Sequence, residues 1–237
     1  MIDKIRLQPL VSLSDRIVFG YEALFNKGNQ KAFPSALDVI SCVFTHEKTR
    51  EVGDNFQLYA NLTQDDVTSH KFANSLIETL DNLDVDPENI VLEISEETNP
   101  CVISQASSVL NTLRSAGIKI ALDDFGVQYS TLSYLHDFPV DIVKIDQRFV
   151  QSAPMNKKSR SILKFATELS HDFGCKVVAE GIETEAQLQC AIEAQADVGQ
   201  GFLFSPCRKT KITSPFANLC EFVAGVIKTP SVVRYCI

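Results

Sequence analysis

NIVLEIS (89–95), VISQASSVLNTLRSAG (102–117) and IKIALDDFG (118–126) follow one another in this chain of 237 residues. The outer two are short apolar runs rich in β-branched residues, the pattern of buried strands. The middle one reads as a helix that stops at Gly117, a residue suited to the left-handed turn after a helix. Strand, helix and strand with short connections call for a parallel pair joined by a helical crossover.

The same alternation runs outward in both directions. Toward the N-terminus, SHKFANSLIETLDNL (69–83) has Phe72, Leu76, Leu80 and Leu83 on one helical face, while FQLYANL (56–62) and IVFGYEALFN (17–26) read as strands. Toward the C-terminus come a short helix within STLSYLHDF (130–138), the strand VDIVKID (140–146) and the helix SRSILKFATELSHDFG (159–174). The strand CKVVAEG (175–181), the helix TEAQLQCAIEAQA (184–196) and the strand VGQGFLF (198–204) follow. Thr184 with Gln187 has the form of a capping box. A last helix is expected over SPFANLCEFVAGVI (214–227), with Pro215 in its first turn. Strands apolar on both faces need helices on both sides. Seven or eight such units suit a (β/α)8 barrel, whose usual length is ~250 residues. An open doubly wound sheet is the alternative, but its G-x-G-x-x-G phosphate turn is not found.

Hydrophobic residues make up 45% of the chain and the net charge is −8. That balance argues against a duplex-DNA binder, which needs broad positive charge to neutralise phosphates. An anionic small ligand would need local cations. The first ten residues carry no apolar core of signal-peptide length. No run approaches the ~18 apolar residues of a membrane helix. The seven cysteines are scattered without a C-x-x-C pair, so neither a disulfide framework nor a zinc site is expected, and the expected compartment is the cytoplasm. No linker, sensor or DNA-binding segment is legible, and residues 1–237 read as one domain.

Almost every strand carries a polar residue near its C-terminal end. They are Glu22, Asn61, Glu93, the pair Asp123 and Asp124, Lys144, Glu180 and Gln200. In a parallel barrel these ends share one rim, where barrel active sites are built. Five converging carboxylates repel one another unless they share protons or hold cations. With Asn61 they form an oxygen-only set, which suits Mg2+ or Mn2+ rather than zinc. Asp123 and Asp124 could bridge two ions ~3.5–4 Å apart, the arrangement used for in-line attack on a phosphodiester. The competing reading is a purely structural network of ion pairs around Lys144, but one lysine does not balance five acids. The histidines at 46, 70, 136 and 171 lie away from the strand ends and read as surface or packing residues.

With these residues in place, the chain resembles the EAL-domain family, the phosphodiesterases of cyclic di-GMP. The resemblance runs from LQPLVSLSDRIVFGYEAL to GQGFLFS and is carried by LEISEE, ALDDFG, YSTLSYLHDFPVDIVKIDQRFV and VVAEGIETEAQ. It implies a modified (β/α)8 TIM-type barrel whose first strand is antiparallel to its neighbours. It implies two divalent ions, Mg2+ or Mn2+, held by Glu22, Asn61, Glu93 and Asp123, with Asp124 on the second ion and Asp123 bridging. Lys144 would orient the catalytic water, and Glu180 would be either a second-ion ligand or the general base. Gln200 and Leu24 would line the substrate pocket. Glu96 would organise the loop after DDFG, and that loop with the helix after it would form a homodimer interface. The implied reaction is hydrolysis of cyclic di-GMP to linear pGpG, and the alternative is a weak or inactive receptor or protein-interaction module.

Three positions depart from the family pattern. Asn26 stands where active members usually carry an arginine on the ligand phosphate. KGNQKAFPSALDVISCVF (27–44) replaces the family's helical motif between Glu22 and Asn61, and Gln128 stands where glycine is common.

Overall fold

The computed structural model describes residues 5–25, 34–45, 56–95, 100–127, 135–136 and 138–204, the side chains of 100–105 excepted. Eight strands close into a barrel in chain order. They are β1 (Ile5–Ser12), β2 (Val18–Phe25), β3 (Gln57–Asn61), β4 (Ile90–Ser95), β5 (Lys119–Phe125), β6 (Ile142–Ile145), β7 (Lys176–Ala179) and β8 (Val198–Gln200). β2 through β8 are parallel neighbours. β1 runs antiparallel to both β2 and β8, and its pairing of Leu10 with Gln200 and Ser12 with Val198 shuts the ring.

The helices are α1 (Ala36–Phe44), α2 (Gln64–Thr68), α3 (His70–Asn82), α4 (Pro100–Ser115), α5 (Gln147–Ser152), α6 (Lys157–Asp172) and α7 (Glu185–Glu193). α3 begins where Ser69 accepts the Phe72 N–H and buries Phe72, Ala73, Leu76 and Leu80 against the barrel. Each large apolar side chain so buried contributes ~1.5–3 kcal/mol. α4 ends as its sequence requires: Gly117 has φ +99, and its N–H and that of Ile118 reach back to Arg114 and Leu113. Thr184 and Gln187 make the expected capping box on α7.

Four elements were not legible. β1 contains Pro9, which breaks the look of a strand, yet Ile5, Leu10 and Val11 are fully buried. α2 and α5 have five and six residues, too short to show a helical period. α1 arises inside 27–44, so the chain makes a helix there despite its departure from the family motif. Its start is tied to α2 by the buried carboxylate of Asp66, which accepts from Ser35 Oγ (2.7 Å), the Ala36 N–H (3.2 Å) and the Thr63 N–H (3.0 Å). β8 is shorter than 198–204, ending at Gln200. Most of the short helix expected within 130–138, and all of the one over 214–227, lie outside the described residues.

Inside the barrel, Leu10, Tyr59, Val91, Ala121, Ile142, Val178 and Val198 form one apolar cluster. Strand side chains alternate, so the residue two further on points the same way. Two past Tyr59, Val91, Ala121, Ile142, Val178 and Val198 stand Asn61, Glu93, Asp123, Lys144, Glu180 and Gln200. The polar layer therefore rests on an apolar floor one layer below.

Candidate active site

Lys144, only 1% exposed, is the hub of that layer. Its Nζ lies 2.7 Å from Glu93 Oε1, 2.8 Å from Glu180 Oε1, 3.0 Å from Asp123 Oδ1 and 3.3 Å from Glu22 Oε2. Asn61 Nδ2 donates to Glu93 Oε2 (3.1 Å) and Glu22 Oε1 (3.4 Å). Gln200 Nε2 donates to Glu22 Oε2. β2, β3, β4, β5, β6, β7 and β8 thus each deliver a residue to one network. Glu22, a carboxylate in an apolar strand, has the partners its burial requires.

Asp123 and Asp124 are adjacent, and a regular strand would send them to opposite faces. The β5–β6 register shifts between Leu122 and Phe125, and Asp124 has φ +58. This bulge re-aims one side chain, as bulges near sites do. Carboxylate oxygens of Asp123, Asp124 and Glu180 consequently lie within 4.8 Å of one another.

The electrostatics record an excess of negative charge. Burial works against the Lys144 ammonium, but Glu180, Glu22, Glu93 and Asp123 outweigh it and hold the lysine firmly protonated. Glu22 is held below the ordinary range, because Lys144 and the Gln200 and Lys144 hydrogen bonds overcome its burial. Glu93 is driven well up, by burial first and then by Glu22 and Asp123. Burial, with Asp123 and Glu22, pushes Glu180 up to about 8 against the pull of Lys144. Asp124 rises to about 6 through burial and the charges of Asp123 and Asp146.

Two further observations fit a bound cation. The negative charge of Asp146 adds to that of Asp123 against the Asp124 carboxyl, so the acid excess extends past the strand ends. Gln200 Oε1 is buried with no hydrogen-bond partner among the described residues. Glu22, Asn61, Glu93, Asp123, Asp124 and Glu180 have the all-oxygen chemistry of Mg2+ and Mn2+ ligands. Asn61 uses its Nδ2 here, and would have to turn its amide to offer Oδ1 to an ion.

The predicted residues Glu22, Asn61, Glu93, Asp123, Asp124, Lys144, Glu180 and Gln200 come together. Leu24 lies two residues past Glu22 on the same face of β2, 37% exposed toward the rim. Glu96, Asn26 and Gln128 lie outside the described residues. Asp146 was missed by the sequence reading. It is 6% exposed and stands two residues past Lys144, so extending the alternation of VDIVKID by one step would have found it. His70, His136 and His171 are all exposed and off the barrel axis, and His46 is outside the described residues.

The comparisons with known proteins agree with this geometry. Residues 3–207 match the model of the EAL domain. Cyclic di-GMP phosphodiesterase PdeL of Escherichia coli is 35% identical over 153 residues, covering 65% of this chain and 42% of PdeL. The chain therefore spans less than half the length of that relative. The EAL domain of Mycobacterium smegmatis DcpA superposes with a TM-score of 0.78 at 26% identity, covering 93% of this chain and 95% of that one. A Klebsiella pneumoniae BlrP1 structure, a manganese and cyclic di-GMP complex, has a TM-score of 0.75 at 27% identity, covering 86% of this chain and 55% of BlrP1. A closed barrel with an antiparallel first strand, an acid-lined rim and a family match over most of its length lead to one conclusion: the chain belongs to the EAL domain family.

Proposed function

We propose that this protein is a metal-dependent phosphodiesterase that hydrolyses cyclic di-GMP to linear pGpG. One observation carries the reading: four carboxylates, Glu22, Glu93, Asp123 and Glu180, converge on a single lysine, and two of them, Asp123 and Glu180, have oxygens within 4.8 Å of each other and of an Asp124 carboxylate oxygen. An excess of buried acid on this scale is what a pair of divalent ions neutralises.

Glu22, Asn61, Glu93 and Asp123 would hold one Mg2+ or Mn2+, and Asp123 with Asp124 a second. Bound ions of this kind supply positive charge to the attacking and leaving oxygens of a phosphodiester. Lys144 orients the water for attack. Glu180 serves as a second ligand or as the general base; a carboxyl at about 8 in the metal-free site has the basicity for the latter. Gln200 and Leu24 line the substrate pocket, and Glu96 organises the loop after DDFG.

The substrate assignment draws support from the named activity of PdeL and from the cyclic di-GMP held by BlrP1. Residues 1–237 act as one phosphodiesterase domain. A homodimer through the loop after DDFG and the helix that follows it is part of the proposal; most of that segment lies outside the described residues. The protein works in the cytoplasm, which accords with the free thiols of Cys175 and Cys190. Among the described residues no helix is long and apolar enough to cross a membrane.

Incubation with cyclic di-GMP and Mg2+ or Mn2+, followed by chromatography for pGpG, tests the proposal. Turnover supports it. Binding without turnover in either metal would replace it with the receptor reading, which the Asn26 and Gln128 departures favour.

A further inference from the structure

Helix α5 has no task in the metal and substrate roles above. It is short, it begins immediately after Asp146, and it touches the turns that follow β5 and β7. Asp146 caps it, accepting the Arg148 N–H (2.8 Å) and Arg148 Nε–H (2.9 Å). The half-buried ring of Phe149 presses on Gly126, the residue that ends DDFG; a Cβ there would stand 2.9 Å from Phe149 Cε2. On the other flank, a Cβ on Gly181, immediately after Glu180, would overlap Gln147 Cβ. Gln187 latches the same side. Its Oε1 accepts the Glu183 N–H (2.8 Å) and the Thr184 N–H (2.9 Å), and its Nε2 donates to Gln151 O (3.3 Å).

Two glycine turns, each next to acids of the proposed metal pair, are thus held against one rigid turn of helix. Both glycines have positive φ (+98 at Gly126 and +68 at Gly181), a conformation that favours glycine, and both approach α5 closely only because they lack a Cβ. We propose that α5 is a clamp that fixes the separation of Asp124 and Glu180, with Phe149 as its positioning residue on the DDFG side. Val150, fully buried, anchors the helix in the core, and Phe149, half-buried against the same apolar cluster, keeps its ring edge on Gly126.

The proposal rests on the metal-centre reading, and calorimetric Mn2+ titration alongside kinetics separates the two. In Phe149→Ala, Mn2+ affinity should fall ~10-fold or more, as when groups supporting metal ligands are removed. kcat should fall with it, KM for cyclic di-GMP should stay close to wild type, and Phe149→Leu should restore most of both. A purely packing role would lower the melting temperature and leave Mn2+ affinity and kcat per folded molecule unchanged. That result, with wild type binding Mn2+, overturns the clamp alone; a wild type that binds no Mn2+ overturns the metal-centre reading and the clamp together. If Phe149→Ala does not fold, Phe149→Val, which withdraws the ring from Gly126 but keeps an apolar side chain, decides: a drop in Mn2+ affinity of several-fold supports the clamp and wild-type affinity overturns it.

Discussion

Lys144 Nζ lies 2.7 Å from Glu93 Oε1, both side chains fully buried, and Glu93 is nonetheless driven well above the ordinary carboxylate range. An ion pair that close should lower a carboxyl. It does not, because burial and the charges of Glu22 and Asp123 outweigh one ammonium shared among four acids. The lysine alone cannot neutralise its surroundings. Lys144→Met should destabilise the metal-free protein by ~3–5 kcal/mol, the usual cost of breaking a buried pair. Chemical denaturation with and without Mn2+ checks this, and the ion should recover part of the loss. Turnover should fall at least ~100-fold, as on removing one preorganised donor to a reacting group.

Removing an acid should have the opposite balance of effects. Glu22→Ala deletes a proposed ligand but leaves Lys144 with Glu93, Glu180 and Asp123 at 2.7–3.0 Å. Turnover should vanish while circular dichroism and the melting temperature remain near wild type. An unchanged rate would refute the ligand role.

In the proposed metal centre, protons would compete with the ions. Burial and neighbouring charge hold Glu180 up to about 8 and Asp124 up to about 6 in the metal-free protein. Ions must displace those protons, so Mn2+ affinity should rise from pH 6 to pH 8, with proton release measurable in buffers of different ionisation enthalpy. Stability of the metal-free protein should run the other way. A carboxyl raised in the folded state contributes stability below its unfolded pKa, and loses it as pH rises through the folded value. The metal-free melting temperature should therefore fall between pH 5 and pH 8, and Mn2+ should flatten that slope. A flat metal-free profile would contradict the raised carboxyls.

Asn26 follows Phe25, the last residue of β2, at the position where active relatives usually place an arginine. A charge-assisted contact is worth ~1.5–3 kcal/mol, about ten- to a hundred-fold in affinity. Asn26→Arg should tighten cyclic di-GMP binding by that factor with little change in kcat. Equilibrium binding in Ca2+ measures it; no tightening would mean that another group already fills the role.

The parallel architecture and nearly the whole polar layer were legible because both depend on short-range pattern. Strands buried on two faces stand out as apolar runs, and a single polar residue near the end of each is conspicuous. Glu22, Glu93, Lys144 and Glu180 were found that way. β1 was hidden by Pro9, and by an antiparallel orientation that no local pattern encodes. Asp146 was hidden because it is the first residue past a strand, where a polar residue reads as an ordinary helix cap; it is a cap as well, for Arg148. The inward turn of Asp124 depends on the bulge at Leu122 and Phe125, a pairing between strands that sequence order does not display. The two glycine contacts of α5 are tertiary for the same reason.

The central claim is that the acids around Lys144 exist to hold a pair of divalent ions. Titrating the chelator-stripped protein with Mn2+ at pH 8, followed by calorimetry and electron paramagnetic resonance, tests it most directly. The account predicts two ions per chain with the broadened spectrum of a spin-coupled pair. Saturation with no Mn2+ bound, or the spectrum of isolated single ions at full occupancy, would contradict it.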